Sequence, residues 1–387
     1  MILRRLLRAP LTHGTFMAAM LLGLPLAGIL LSGREVDFYL QFPPLTHYVR
    51  HAPFSWPIFM IYAAMDLLAV LWPAYLLSSA HRREERRVHR TGRLPVWGWL
   101  GLVIMLAGWL SAWTRMAWLA PLQQHTFVLP WFGYILLVNA LCVRRTGQSL
   151  LTDAPARFWV LFPVSALFWW FFEYLNRFVQ NWYYVGMQDF GPPAYAAFAT
   201  LAFATVLPAV LSTHRLLLGF SIFNPGLREI SPVRLARPRA AAAVTLLAAA
   251  GGLLFLGVYP DWLFAFLWIS PLLIITALQA LGGRATIFKP LQRGDWGPIV
   301  TGALAALICG FFWEMWNFGS LAQWRYALPY VDRYRIFAMP LLGYGGYLPF
   351  GLECLAVGAM VLGHRPLGID QNLREVACPS ALRDQDR

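Results

Sequence analysis

Two stretches carry a glutamate into the most aromatic parts of an apolar chain: "WFFEYLNRFVQNWYY" (170–184) and "FFWEMWNFGSLAQWRY" (311–326). Each reads Glu-x-x-Asn and then, after five or six residues, Trp-x-Tyr. The first copy is Glu173, Asn176, Trp182 and Tyr184; the second is Glu314, Asn317, Trp324 and Tyr326. Three-residue spacing puts each Glu and its Asn on one helical face. A carboxylate in hydrocarbon costs several kcal/mol unless paired or hydrated, so such residues face a bundle interior and mark function. The bland alternative is local: each Glu bonds its own Asn or pairs with Arg115, Arg177 or Arg325.

A third acid, Glu353, follows "GYGGYLPFG". Gly343, Gly345, Gly346 and Gly351, with Pro340 and Pro349, predict a broken helix beside a mid-membrane carboxyl group. Non-helical backbone at that depth is tolerated only where protein buries it or water lines it. The plain reading is a kinked span whose Glu353 bonds between helices. Asp66, ten residues into an apolar stretch and without a local partner, is either a buried neutral acid or a proton-relay group.

These residues suit acid–base work in an aromatic-lined intramembrane pocket. Glu314 and Glu353 are the expected acid and base, with Glu173 as a third catalytic candidate beside them and Asn176 and Asn317 orienting. Trp313, Trp324, Tyr326 and Asp66 are candidates for holding a substrate. Aromatic faces there stabilise a developing cation on an isoprenoid or other lipid. The same carboxyl groups fit a proton- or ion-coupled transporter whose halves rock about them, or a scaffold in which they lock helices together. No cofactor or metal is expected. The chain has no P-loop, no GxGxxG after a strand and no nucleophile elbow. Its histidines fall in loops or near span ends, and His47 and His51 lack further ligands. Cys142, Cys309, Cys354 and Cys378 form no CxxC pair, which argues against a zinc site or disulfide framework.

The elements that must position these groups follow from composition. Of 387 residues, 59% are hydrophobic and 13% charged, and the mean hydropathy is +0.55; an ordinary soluble chain is about 25% charged. Apolar runs of roughly 20 residues, the length that crosses a bilayer, recur at 15–32, 57–80, 95–119, 126–143, 158–178, 192–213, 240–259, 262–281, 297–317 and 338–362. The fold class is therefore all-α, a polytopic bundle of about ten spans. The net charge of +13 would fit nucleic acid, but 24 of the 31 Lys and Arg fall in alternate connecting segments. That bias places the N- and C-termini in the cytoplasm of a bacterial-type inner membrane, with "HRREERRVHR" (81–90) as an anchor near anionic headgroups. The partners implied are membrane lipids, not nucleic acid; oligomeric state is not legible. The apolar N-terminal run reads as a retained first helix, since no small-residue cleavage site follows it.

Each Glu-x-x-Asn copy is preceded by a span led by a tryptophan (Trp131, Trp268) and a polar loop, and followed by a Pro/Gly-rich entry into the next span. This predicts two four-helix repeats, 95–219 and 238–363, joined by a linker at 220–237. An N-terminal hairpin with its basic loop (1–94) precedes them and a tail (364–387) follows. An even span count per repeat makes the repeats parallel about the membrane normal. At "WRYALPY" and "PLLGYGGYLPFGLE" the chain resembles the small integral-membrane lycopene cyclases and related carotenoid-modifying proteins, over some 30 residues per half. The resemblance implies cyclisation chemistry without metal or nucleotide, and gives Glu353, after Pro349, the role of proton donor or base. The family pattern has adjacent acids close behind the proline; here a single glutamate follows four positions on.

Overall fold

Backbone groups at hydrocarbon depth have no water to bond, so an apolar chain must satisfy them inside helices. The computed structural model describes residues 10–44, 46–81, 92–187, 190–224, 226–228 and 230–369. The basic run after His81, Cys378 and residues 370–387 of the tail lie outside the described residues. The chain forms α1 (Pro10–Leu31), α2 (Trp56–His81), α3 (Val96–Trp113), α4 (Val128–Thr146), α5 (Pro155–Val179), α6 (Pro192–Phe203), α7 (Val206–Leu218), α8 (Pro238–Leu254), α9 (Phe266–Leu281), α10 (Gly297–Gly319) and α11 (Tyr347–Leu362). Among the described residues eight stretches are long and apolar enough to cross a membrane, counting α6 with α7 as one and α11 with the turn before it as another. The apolar α8 and α9, of 17 and 16 residues, are shorter than that. The protein is thus a polytopic, largely membrane-spanning helix bundle.

Connecting segments gather at two ends. At one, Ser55 N donates to Tyr330 O (2.9 Å), Ala327 N to Asn181 O (2.9 Å), and Arg115 Nη2 to Gly319 O (2.9 Å). At the other, Arg145 Nε donates to Gly219 O (2.8 Å), Val233 N to Leu291 O (2.8 Å), and His214 Nε2 pairs with Leu367 O (3.0 Å). The first end also carries two short antiparallel ribbons, β1 (Trp182–Val185) with β2 (Gln323–Tyr326) and β3 (Arg335–Ile336) with β4 (Met339–Pro340). This is the strand end of the bundle.

Between helices, small residues bring backbones into contact, as lipid-embedded packing favours. A Cβ at Gly133 of α4 would lie 2.3 Å from Met105 N of α3, and one at Gly351 of α11 would lie 2.2 Å from Gly302 O of α10.

Two helix breaks differ from the sequence expectation. The Gly-rich segment before Glu353 is a 3-10 turn, Leu341–Gly346, after which α11 runs unbroken from Tyr347. Pro349 falls in the first helical turn, where a missing N–H leaves nothing unsatisfied, so Glu353 sits in regular helix. The break at depth is instead between α6 and α7, at residues 204–205. Pro208 explains it: its ring excludes the carbonyl four residues back, that of Ala204. Ser165 of α5 repairs the gap, donating to Phe203 O (2.6 Å) and accepting from Leu207 N (2.9 Å).

Candidate functional site

The two Glu-x-x-Asn copies are built alike. Each closes the strand-end turn of a long helix, α5 or α10, and each Asn clips the following strand to that helix. Asn176 accepts from Asn181 N (2.8 Å) and Trp182 N (3.3 Å) and donates to Trp182 O (2.8 Å). Asn317 accepts from Trp324 N and donates to Trp324 O, both at 2.9 Å. The strands then pair antiparallel, Trp182 opposite Tyr326 and Tyr184 opposite Trp324. Trp-x-Tyr has the period of a strand, so both rings of each copy leave one face.

Those rings return to the glutamates. Glu173 Oε1 accepts from Tyr184 Oη (2.6 Å), Trp182 Nε1 (3.0 Å) and Trp169 Nε1 (3.1 Å). Glu314 Oε1 accepts from Tyr326 Oη (2.6 Å), Tyr347 Oη (2.9 Å) and Trp324 Nε1 (3.4 Å). Both acids are fully buried, and in both Oε2 has no partner. The third donor is exchanged between copies. Trp169 stands four residues before Glu173, whereas the residue four before Glu314 is Gly310, and the ring of Tyr347 fills that space. The partners are thus aromatic donors rather than arginines. Arg177 donates to Tyr39 O, and Arg115 to backbone carbonyls.

In front of these clips lies a cavity of about 300 Å³, at the small end of the usual range for ligand sites. The donors that hold the glutamates are its walls: Trp169, Trp182, Tyr184, Trp324, Tyr326 and Tyr347 all line it. Trp268 and Trp313 extend the wall inward. Its far side is α4 and the broken α6–α7 pair. Leu129 of α4 and Phe198 and Leu201 of α6 line it and are also exposed on the flank of the bundle, so the cavity opens sideways between those helices. Among the described residues no Asp, Glu, Lys or Arg lines it.

The predicted residues therefore divide. Trp313, Trp324 and Tyr326 are cavity walls; Asn176 and Asn317 hold strands; Glu173 and Glu314 sit directly behind the wall. Glu353 is elsewhere. It is 1% exposed, with both carboxyl oxygens buried and unpartnered. Its neighbours Gly351 and Leu355 pack on Gly302 and Ala306, which sets it some ten residues of helix, roughly 15 Å, from the level of Glu314. Glu314 and Glu353 are not a contacting acid–base pair. Asp66 is outside the cavity as well: its carboxyl group rests on the backbone of Gly345, where a Cβ would lie 2.1 Å from Oδ1. His51 is engaged by Asp261 Oδ1 (2.7 Å) and Gln180 O (3.2 Å), and among the described residues no group of three His, Cys, Asp or Glu is placed to hold a metal ion.

Sequence reasoning passed over Trp169, Tyr347 and the whole of α6. Trp169 was findable, being one helical turn before Glu173 on its face; Tyr347 was not, because only the packing of α11 on Gly310 brings it in. No protein-family model matches the chain, and no curated protein or solved structure does.

Proposed function

We propose that this is a ten-span inner-membrane protein that takes the hydrocarbon part of a membrane lipid, an isoprenoid or a similar chain, through the opening between α4 and α6. The observation that carries this reading is the cavity itself: lined by aromatic and aliphatic side chains, reached from the flank of the bundle, and closed towards the strand end by the β1–β2 ribbon. A water-soluble ligand has no reason to enter by a lipid-facing door. Loops of alternate spans meet at opposite ends, which is the pattern that ten crossings give, and the arginine-rich end is the cytoplasmic one. The like-built clips and their antiparallel strands support two parallel repeats.

The chemistry this site favours is proton transfer on the bound chain. Tyr184 and Tyr326 stand between the cavity and a carboxyl group, each donating to it at 2.6 Å, so a phenol oxygen that takes a proton from the bound chain passes its own proton to the carboxylate behind it. The lycopene cyclase-like reading fits that scheme with the phenols, rather than Glu353, meeting the substrate. Glu353 itself, unpartnered at mid-depth, favours a second reading, proton-coupled transport. Total lipid and pigment extracts of deletion, complemented and Y184F/Y326F strains test the enzyme reading. A lipid that accumulates in both the deletion and the double variant supports it; extracts that never differ reject it.

A further inference from the structure

Resting on the proton-transfer reading, the second clip points to the class of reaction: we infer that it moves a double bond along a neutral unsaturated ketone lipid, Tyr326 taking a proton from one carbon and Tyr347 giving one to another. The two copies differ in what can exchange protons. Glu173 Oε1 holds one phenol, Tyr184, and two indoles, Trp182 and Trp169. An indole N–H only donates, whereas a phenol both donates and accepts, so the first copy has a single proton-exchanging partner. Glu314 Oε1 holds two phenols, Tyr326 Oη at 2.6 Å and Tyr347 Oη at 2.9 Å, and both residues line the cavity. Because they meet one oxygen atom, their hydroxyls are no further apart than those two bonds laid end to end, a reach that covers nearby carbons of one chain. Trp324 Nε1 also donates to Tyr326 Oη (2.8 Å). That bond steadies the oxygen as its proton leaves and marks Tyr326 as the phenol that starts.

The step balances within the clip. Tyr326 Oη takes a proton from the carbon between the carbonyl group and the double bond, while its own proton passes to the Glu314 carboxylate. The electron pair left behind forms a double bond conjugated with the carbonyl group, and the pair of the old double bond moves to its far carbon. Tyr347 gives its proton to that carbon and is refilled from Glu314. One C–H bond breaks, one forms, and Glu314 ends as the carboxylate it was, with no oxidant or water consumed. A phenol backed by a carboxylate is a weak base, so the C–H it takes must be acidified by a neighbouring carbonyl group. The lipid is neutral because a charged one would meet no counter-charge: among the described residues no Asp, Glu, Lys or Arg lines the cavity.

The test uses the full-length protein in nanodiscs in heavy water, with a long-chain β,γ-unsaturated ketone as probe and empty nanodiscs as the reference. Conjugated ketone is read by ultraviolet absorbance, and deuterium at the α carbon of the recovered probe by mass spectrometry. The unaltered protein is expected to form the conjugated ketone. Y347F should lower kcat about a hundredfold with KM unchanged, yet still exchange the α hydrogens, the step that Tyr326 performs; Y326F should lose both. Exchange without conjugation by the unaltered protein, or conjugation at full rate by Y347F, overturns the inference and leaves the proton-transfer reading standing. Neither exchange nor conjugation removes both. Should either variant fail to fold, the outcome with the unaltered protein decides alone.

Discussion

The exchange of Trp169 for Tyr347 makes a quantitative demand on Gly310. A Cβ at that position would sit 2.4 Å from Cδ2 and 2.5 Å from Cε2 of Tyr347, whereas carbon atoms rest about 3.5–4.0 Å apart. Gly310→Ala therefore drives the ring back by about 1 Å and pulls its hydroxyl off Glu314, which it now meets at 2.9 Å. Overpacking of this kind costs about 1–3 kcal/mol, and the broken bond to a buried carboxyl group adds about 1–3 kcal/mol. We expect a loss near 3–4 kcal/mol. In a Y347A background the ring is gone, the clash is gone with it, and alanine's better helix propensity, worth up to about 1 kcal/mol, makes the same substitution neutral or slightly stabilising. Y347F falls between, keeping the clash without the bond. Unfolding of the four proteins in mixed micelles, followed by tryptophan fluorescence and circular dichroism, closes the cycle. Equal costs of Gly310→Ala with and without the Tyr347 ring would show that Gly310 is not the seat of that ring.

Three further substitutions probe the other clip, the helix break and the peripheral helix. Trp169→Phe keeps a ring in the cavity wall but removes one of the three donors to Glu173; a loss of about 1–3 kcal/mol in the same unfolding assay is expected, and no loss would mean the indole bond contributes nothing. Ser165→Ala strands both Phe203 O and Leu207 N at the α6–α7 break, so faster amide exchange at Leu207 and about 2–4 kcal/mol of destabilisation should follow; unchanged exchange would mean the gap is satisfied another way. Gly345→Ala pushes a methyl group into the Asp66 carboxyl group and should loosen α2, read as faster modification of a cysteine placed at Ala63; in a D66A background the substitution should be silent.

Much of the bundle was legible because its cause is one-dimensional. Runs of apolar residues at bilayer length mark α1 to α5 and α10 without any tertiary information, and Glu-x-x-Asn at helical spacing marks a shared face. The period-two Trp-x-Tyr was a readable strand signal, obscured by the expectation that a chain this apolar is helical throughout. The two prolines act alike: Pro349 and Pro208 each stand third in their helices, α11 and α7, and in both cases it is the segment before the proline, not the helix after it, that leaves α-helical geometry. The separation of Glu314 from Glu353 was beyond a sequence reading, since it depends on which turn of α11 meets which turn of α10, and the glycine contacts at Gly302 and Gly351 set that. The lateral cavity was hidden likewise, because α4 and α6 are far apart in the chain and similar in composition to every other span.

That two carboxyl groups should lie behind a greasy wall, and not in it, has a physical reason. In water an aromatic cluster is held by the hydrophobic effect, but lipid tails are as apolar as the rings themselves, so inside a bilayer that force does not distinguish ring on ring from ring on lipid. Walls around a cavity have still less to hold them, since each ring facing it packs on protein atoms from one side alone. Directed bonds must supply what hydrophobic burial cannot. Each glutamate draws three aromatic donors from different elements onto one oxygen: helix and strand at Glu173, strand and the neighbouring helix α11 at Glu314. Tyrosine and tryptophan are the only aromatic residues whose rings carry a donor and no ordinary charge, which accounts for their crowding in both copies of the motif. An aromatic cavity in a membrane thus requires buried acceptors behind it, and the duplicated glutamate is the trace that requirement leaves in the sequence.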